Sequence, residues 1–150
     1  METSSPSRLH RLIVEEMPEA VIFADREGVI RLWNRGAAAM FGYPAAEALG
    51  QSLDLIIPER FRARHWDGYR QVMATGVTSY GDRLLAVPAM RRDGQRISIE
   101  FSIALLKDER GEVAGAAAVV RDVTARWQAE RDLKKRLAAL EAQAGTPGPR

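Results

Sequence analysis

His65 stands in the middle of PERFRARHWDGY, residues 58–69, and is one of two histidines in 150 residues. On a helix advancing ~100° per residue, Phe61, His65, Tyr69 and Val72 fall within about 80° of one another. An imidazole on such an apolar stripe has two uses. As a neutral donor it can ligate a metal centre while its other ring nitrogen bonds a backbone carbonyl. Otherwise it is a core side chain, satisfied by the backbone. Trp66 points away from this stripe at the same spacing. His10, flanked by Arg8 and Arg11, has solvated neighbours and is not read as a ligand.

Other chemistry is thinly represented. The chain has no cysteine, so disulfides, zinc thiolate sites and cysteinyl adducts are excluded. No paired carboxylates, Ser-His-Asp set or phosphate-cradling glycine loop is recognisable, and no enzymatic activity is expected. Asp25, Glu47, Asp93 and Asp122 read as turn and capping residues. A net charge of +2, with basic and acidic residues interspersed, gives no reason to expect nucleic acid. No apolar run approaches the ~18 residues of a membrane span. The start, METSSPSRLHRL, lacks the apolar stretch of a secretion signal, so a cytoplasmic location is expected.

The elements that must position His65 follow from periodicity and punctuation. SRLHRLIVEEM has helical spacing with Ser7 as N-cap, and Pro18 stops it. AVIFADREGVIRLWN reads as a hairpin turning at Gly28. RGAAAMFGY and PAAEALG are two short helices ended by Gly42 and Gly50. The segment from Pro58 to Gly76 is the long interior helix. SYGDRLLAVPAM and QRISIEFSIALL are strands flanking an Asp93-Gly94 turn, and EVAGAAAVVRDV is a fifth strand. The fold class is therefore α+β: a five-stranded antiparallel sheet with short helices on one face, flanked by N- and C-terminal helices. The expected organisation is a cap helix over 1–17, the domain over 18–123, a helix over 124–144 and a disordered tail over 145–150. In that helix Val123, Leu133, Leu137, Leu140 and Ala144 share an a/d register interrupted by Arg126 and Glu130. It either forms a short coiled coil or folds back on its own domain. A seam this short is marginal alone, so dimerisation should also use the N-terminal helix and the sheet.

This strand–helix–strand order resembles a PAS domain over about residues 10–125. The likeness is carried by LWNRGAAAMFGYPAAEALGQ and MRRDGQRISIEFSI…VVRDVTA, with Asn34, Phe41-Gly42-Tyr43, Glu47, Gly50, Asp93-Gly94 and Arg121-Asp122-Val123-Thr124 as its specific points. The resemblance implies a sensory and dimerisation module in signal transduction. Adduct-forming flavin chemistry is excluded without cysteine, while FAD held without an adduct remains a candidate occupant.

Within the family, the chain is similar to the haem-binding PAS sensors of the FixL and DosP type. Their proximal histidine lies seven residues after the proline opening the long helix and twenty-eight before the hairpin aspartate. Pro58, His65 and Asp93 meet both spacings. The resemblance implies haem b with His65 as iron ligand, in a pocket with Phe61, Tyr69 and Val72 on the helix. Phe101 and Ile103, on a strand face shared with Ile99, would form the distal wall. Leu85 stands where a distal arginine is found in FixL. Arg83, two residues earlier, has the spacing of the DosP methionine, and its guanidinium could hydrogen-bond bound oxygen. Tyr69 lies four residues after the histidine, where the pattern has three. Gln71, beside Arg70, replaces a propionate-binding arginine. Met17, Met40, Met73 and Met90 lack distal-ligand spacing and read as core filler. The expectation is a homodimer that senses a diatomic gas such as O2, CO or NO, or a redox state, and acts through a separate output protein or domain. The alternative is a cofactor-free PAS interaction module.

Overall fold

A computed structural model of the chain describes residues 5–78 and 84–145. Alternating apolar residues build β1 (Ala20–Asp25), which turns back at Arg26–Gly28 into β2 (Ile30–Trp33). Two short helices, α2 (Arg35–Phe41) and α3 (Ala45–Ala48), lead through a 3-10 turn at Leu53–Leu55 to the long helix α4 (Glu59–Thr75). The chain then returns as β3 (Leu85–Met90), β4 (Arg96–Lys107) and β5 (Val113–Asp122). Helices α1 (Pro6–Glu16) and α5 (Thr124–Ala144) flank the unit. The strand order is β2-β1-β5-β4-β3, with every neighbouring pair antiparallel.

Cross-strand register defines the inner face. Leu85, Phe101, Val120 and Ala20 form one row across the sheet; Ile103, Ala118 and Ile22 form the next. Val87 opposes Ile99, and Ala89 opposes Ile97. Because side chains alternate with period two, all of these lie on one face. The core fills the space between this face and Ala37, Phe41, Ala48 and Ile56 from the connecting helices and turn. Trp33 closes the end, its ring tilted against Phe41 and its indole N–H donating to the Tyr43 carbonyl at 2.9 Å.

Asn34 ties the N-terminal helix to this core. Its Nδ2 donates to the carbonyls of Val14, Met17 and Glu19, and its Oδ1 accepts from the amides of Val21 and Ala37. Asn34 is thus both the N-cap of α2 and the clasp on the end of α1.

Two capping expectations are corrected. Pro6 occupies the first turn of α1, so Ser5 and not Ser7 stands at its N-cap. Val123 precedes α5, and Thr124 is its first residue. The Thr124 hydroxyl instead donates to Asp122 and accepts the Ser98 amide at 3.0 Å. Beyond Thr124 every described residue of α5 is exposed, Leu133, Leu137 and Leu140 included, so the helix does not fold back over its own domain. No helix among the described residues is long and apolar enough to cross a membrane.

Candidate functional site

Helix α4 is held to the sheet along a stripe different from the one its apolar residues suggest. Met73 is buried, and Arg62, Trp66 and Tyr69 line up with it within about 60° of arc at helical spacing. Arg62 donates to the Ile57 and Asp54 carbonyls, capping the preceding turn. The Trp66 indole N–H donates to the Asp54 carboxylate at 2.7 Å. The Tyr69 hydroxyl donates to the carbonyls of Asp25 and Ala24, at the end of β1, and burial pushes its pKa far up. Trp66 therefore does not point away from the domain. A polar N–H gave it a partner on the 3-10 turn that hydrophobic spacing alone does not register.

This roll places Phe61, His65 and Val72 on the flank of α4, with His65 about 70° from the centre of the buried stripe. Trp66 and Tyr69 engage the β1–β2 side. The Phe61 ring lies near the start of β4, with the Arg96 guanidinium 5.5 Å from its centroid. His65 is half-buried, and its ring contacts are with Trp66, at 4.7 Å, and Tyr69, at 5.7 Å. Its Nδ1 is buried and has no hydrogen-bond partner among the described residues. Desolvation pushes the His65 pKa below its ordinary value, against the opposing field of Asp54, so the imidazole is neutral at pH 7.

The inner side of β3 and β4 is apolar. Cover is complete over Ala89, Ile97 and Ile99, but Val87, on the same face, is 41% exposed. Leu85, Phe101 and Ile103 are half-buried. The sheet thus presents an apolar wall that α4 covers incompletely, with an uncharged histidine on the adjoining flank. Arg83 lies outside the described residues. Gln71 is exposed, and Arg70 is exposed and paired with Asp67 at 2.7 Å. Two surface clefts, of ≈380 Å³ at Phe41, Gly42, Arg91, Arg92 and Asp93, and ≈440 Å³ along α5 at Trp127–Ala138, include none of these residues. No cluster of three metal-ligating side chains occurs among the described residues.

The wall is wired to α5 through β4 itself, by the backbone of Ser98 and, from the other face, by the Glu100 side chain. Ser98 and Glu100 alternate with Ile97, Ile99 and Phe101. The Ser98 carbonyl accepts the Val123 amide at 2.9 Å, and its own amide meets Thr124. Glu100 pairs with Arg126 in the first turn of α5.

An antiparallel sheet with helices over one face, a partly open wall and an exit helix anchored to it defines a sensory module. The chain belongs to the PAS fold family, which it matches over residues 14–128. It is 30% identical over 128 residues to the sensor protein FixL of Bradyrhizobium diazoefficiens, covering 83% of this chain and 24% of that one. It is 28% identical over 140 residues to the signal transduction histidine-protein kinase AtoS of Escherichia coli, covering 91% of this chain and 22% of that one. The chain thus spans under a quarter of the length of either relative. Its backbone is similar to the crystal structure of a PAS domain from Colwellia psychrerythraea, with a TM-score of 0.70 at 19% identity, covering 80% of this chain and 98% of that one.

Proposed function

We propose that this PAS domain binds haem b through His65, senses a diatomic gas (O2, CO or NO) or the iron's redox state, and relays the change through α5. The observation that supports this best is the neutral, half-buried His65 whose Nδ1 has no partner among the described residues, in a domain whose apolar β3–β4 wall is incompletely covered. The residues fit the group: an uncharged imidazole is the required donor, and a dry aliphatic surface suits a macrocycle face. The similarity to FixL, a sensor protein, adds to it.

Haem when bound would supply the iron that takes the gas or changes oxidation state. His65 would hold it from α4, with Phe61, Tyr69 and Val72 beside it. Leu85, Ile99, Phe101 and Ile103 would form the opposite wall and exclude water. Displacement of that wall moves β4, and with it Ser98 and Glu100, which hold Val123, Thr124 and Arg126. Helix α5 would pass the change to a separate output protein or domain, of the histidine-kinase kind given the relatives' names. The exposed Leu133, Leu137 and Leu140 suit a homodimeric seam.

The test is titration of the purified protein with hemin, beside H65A. A sharp Soret band at one equivalent, lost or shifted in H65A, is expected. A broad, substoichiometric spectrum indifferent to His65 overturns the reading and leaves a cofactor-free interaction module.

A further inference from the structure

We infer that Trp66 is the positioning residue of the site: it sets the roll of α4 and so the direction of His65, which on the haem reading is toward the β3–β4 wall. Its functional meaning rests on the haem reading; the geometry does not. The indole is fixed on three sides. Its N–H is bonded to Asp54, at 2.7 Å. Its six-membered ring lies on Gly28, so closely that a Cβ there would meet two ring carbons at 2.1 Å. Its edge meets Tyr69, with ring centroids 5.4 Å apart.

The anchor under it is one rigid piece. Gly28 holds φ +79°, its carbonyl accepts the Leu53 amide at 3.0 Å, and Val29 bridges Ser52. Ser52 in turn accepts the Asp54 amide at 3.1 Å. The β1–β2 turn and the 3-10 turn therefore move together. Among the described residues the ring contacts of His65 are with Trp66 and Tyr69. The roll is thus set from the β1–β2 side. Without the indole, α4 keeps the bonds of Arg62 and Tyr69 but loses its packing on Gly28, and can turn far enough to move His65. Phenylalanine keeps a ring on Gly28 but loses the bond to Asp54, and alanine loses both. Asn in place of Asp54 keeps an oxygen acceptor and removes the charge.

Two readouts on W66A, W66F and D54N test this: hemin titration, and the rate at which diethylpyrocarbonate modifies His65 in the apoprotein, followed by peptide mass spectrometry with His10 as internal reference. W66A is expected to modify at His65 several-fold faster and to bind hemin about tenfold or more weakly, the usual cost of removing a side chain that orients a ligand. W66F should fall between, and D54N should match the parent. Parental reactivity and hemin binding in W66A overturn the inference. So does a D54N that behaves like W66A while W66F stays parental, since the Asp54 charge would then be acting. Should W66A lose its far-UV circular dichroism, W66F decides, and parental His65 reactivity in it counts against the inference. If the parent protein takes up no hemin, the haem reading fails while the modification rates still settle the role of Trp66.

Discussion

Replacing Asn34 with alanine removes the clasp between α1, β1 and α2 in one step. Three carbonyls, of Val14, Met17 and Glu19, lose a donor at 2.8, 3.2 and 3.0 Å. Two amides, of Val21 and Ala37, lose an acceptor at 2.8 and 2.9 Å. The Ala37 bond is buried, so that N–H stays unmet; the others lie where water can partly replace the amide. With roughly 1–3 kcal/mol for each group left unsatisfied and much less for each that water reaches, the expected loss is about 3 kcal/mol. At ~2–4 °C per kcal/mol for a chain of this size, that lowers Tm by about 10 °C. Calorimetry measures it, and hydrogen exchange locates it: the α1 amides should lose protection before the sheet does. N34D separates donor from acceptor. It keeps the oxygen for Val21 and Ala37 but turns a carboxylate toward three carbonyls, which raises its folded pKa above the unfolded value. N34D should therefore be least stable at neutral pH and regain stability as pH falls through that raised pKa, because protonation restores a donor. An N34A protein within about 2 °C of the parent, with α1 protection unchanged, would refute the reasoning.

The pH dependence of stability should carry a signature of His65. Its folded pKa lies below the unfolded value of about 6.5, so the unfolded chain binds more protons in between. The parent should lose stability as pH falls through about 6.5 and level off below the folded pKa, whereas H65F should lack that component; equal urea-unfolding trends from pH 7.5 to 5 would contradict it. Gly115→Ala should cost on the order of 3 kcal/mol by thermal unfolding, as a backbone-limited overpacking. A Cβ there would sit 2.1 Å from the Ala24 carbonyl oxygen and 2.7 Å from the Phe23 ring, wedging β1 from β5; a Tm unchanged from the parent would show that the two strands separate freely.

The fold was legible because its signals are local and agree with one another. Gly28 and Asp93-Gly94 mark the hairpins, Gly42 and Gly76 end helices in the left-handed conformation, and strand alternation separates wall residues from Ser98 and Glu100. The placement of α4 was harder to read. Spacing put Phe61, His65, Tyr69 and Val72 on one stripe, but Tyr69 belongs to the buried stripe and the other three to its flank. The centre of the buried face is nonetheless set by Trp66, Arg62 and Met73. Two of these reach polar partners on Asp54 and Ile57, which no hydrophobic period encodes. The available signal was Gly28, a glycine in a tight turn whose bare backbone admits an aromatic ring. That a tryptophan thirty-eight residues away fills it is a tertiary fact, beyond any local pattern. The same holds for Thr124, whose hydroxyl is drawn to β4 by Ser98.

β4 gives the proposed sensor its economy. Its period of two puts Ile99, Phe101 and Ile103 on the apolar wall and the Glu100 side chain on the other face, while the Ser98 backbone, from the same seven residues, holds the root of α5. A strand paired on both sides cannot slip by one residue without turning its apolar face to water. It can tilt, and a tilt that follows the wall carries the α5 anchors with it. The output helix needs no contact with the ligand for this. Exposed along its length and held through Val123, Thr124 and Arg126, α5 would on the proposed reading turn a small change at its root into a larger one at Leu140. Severing the Glu100–Arg126 pair, by E100Q, should thus leave His65 and the wall as they are while Ser98 still holds Val123 and Thr124. The first turn of α5 then loosens without coming free, read as faster hydrogen exchange there at an unchanged His65 modification rate.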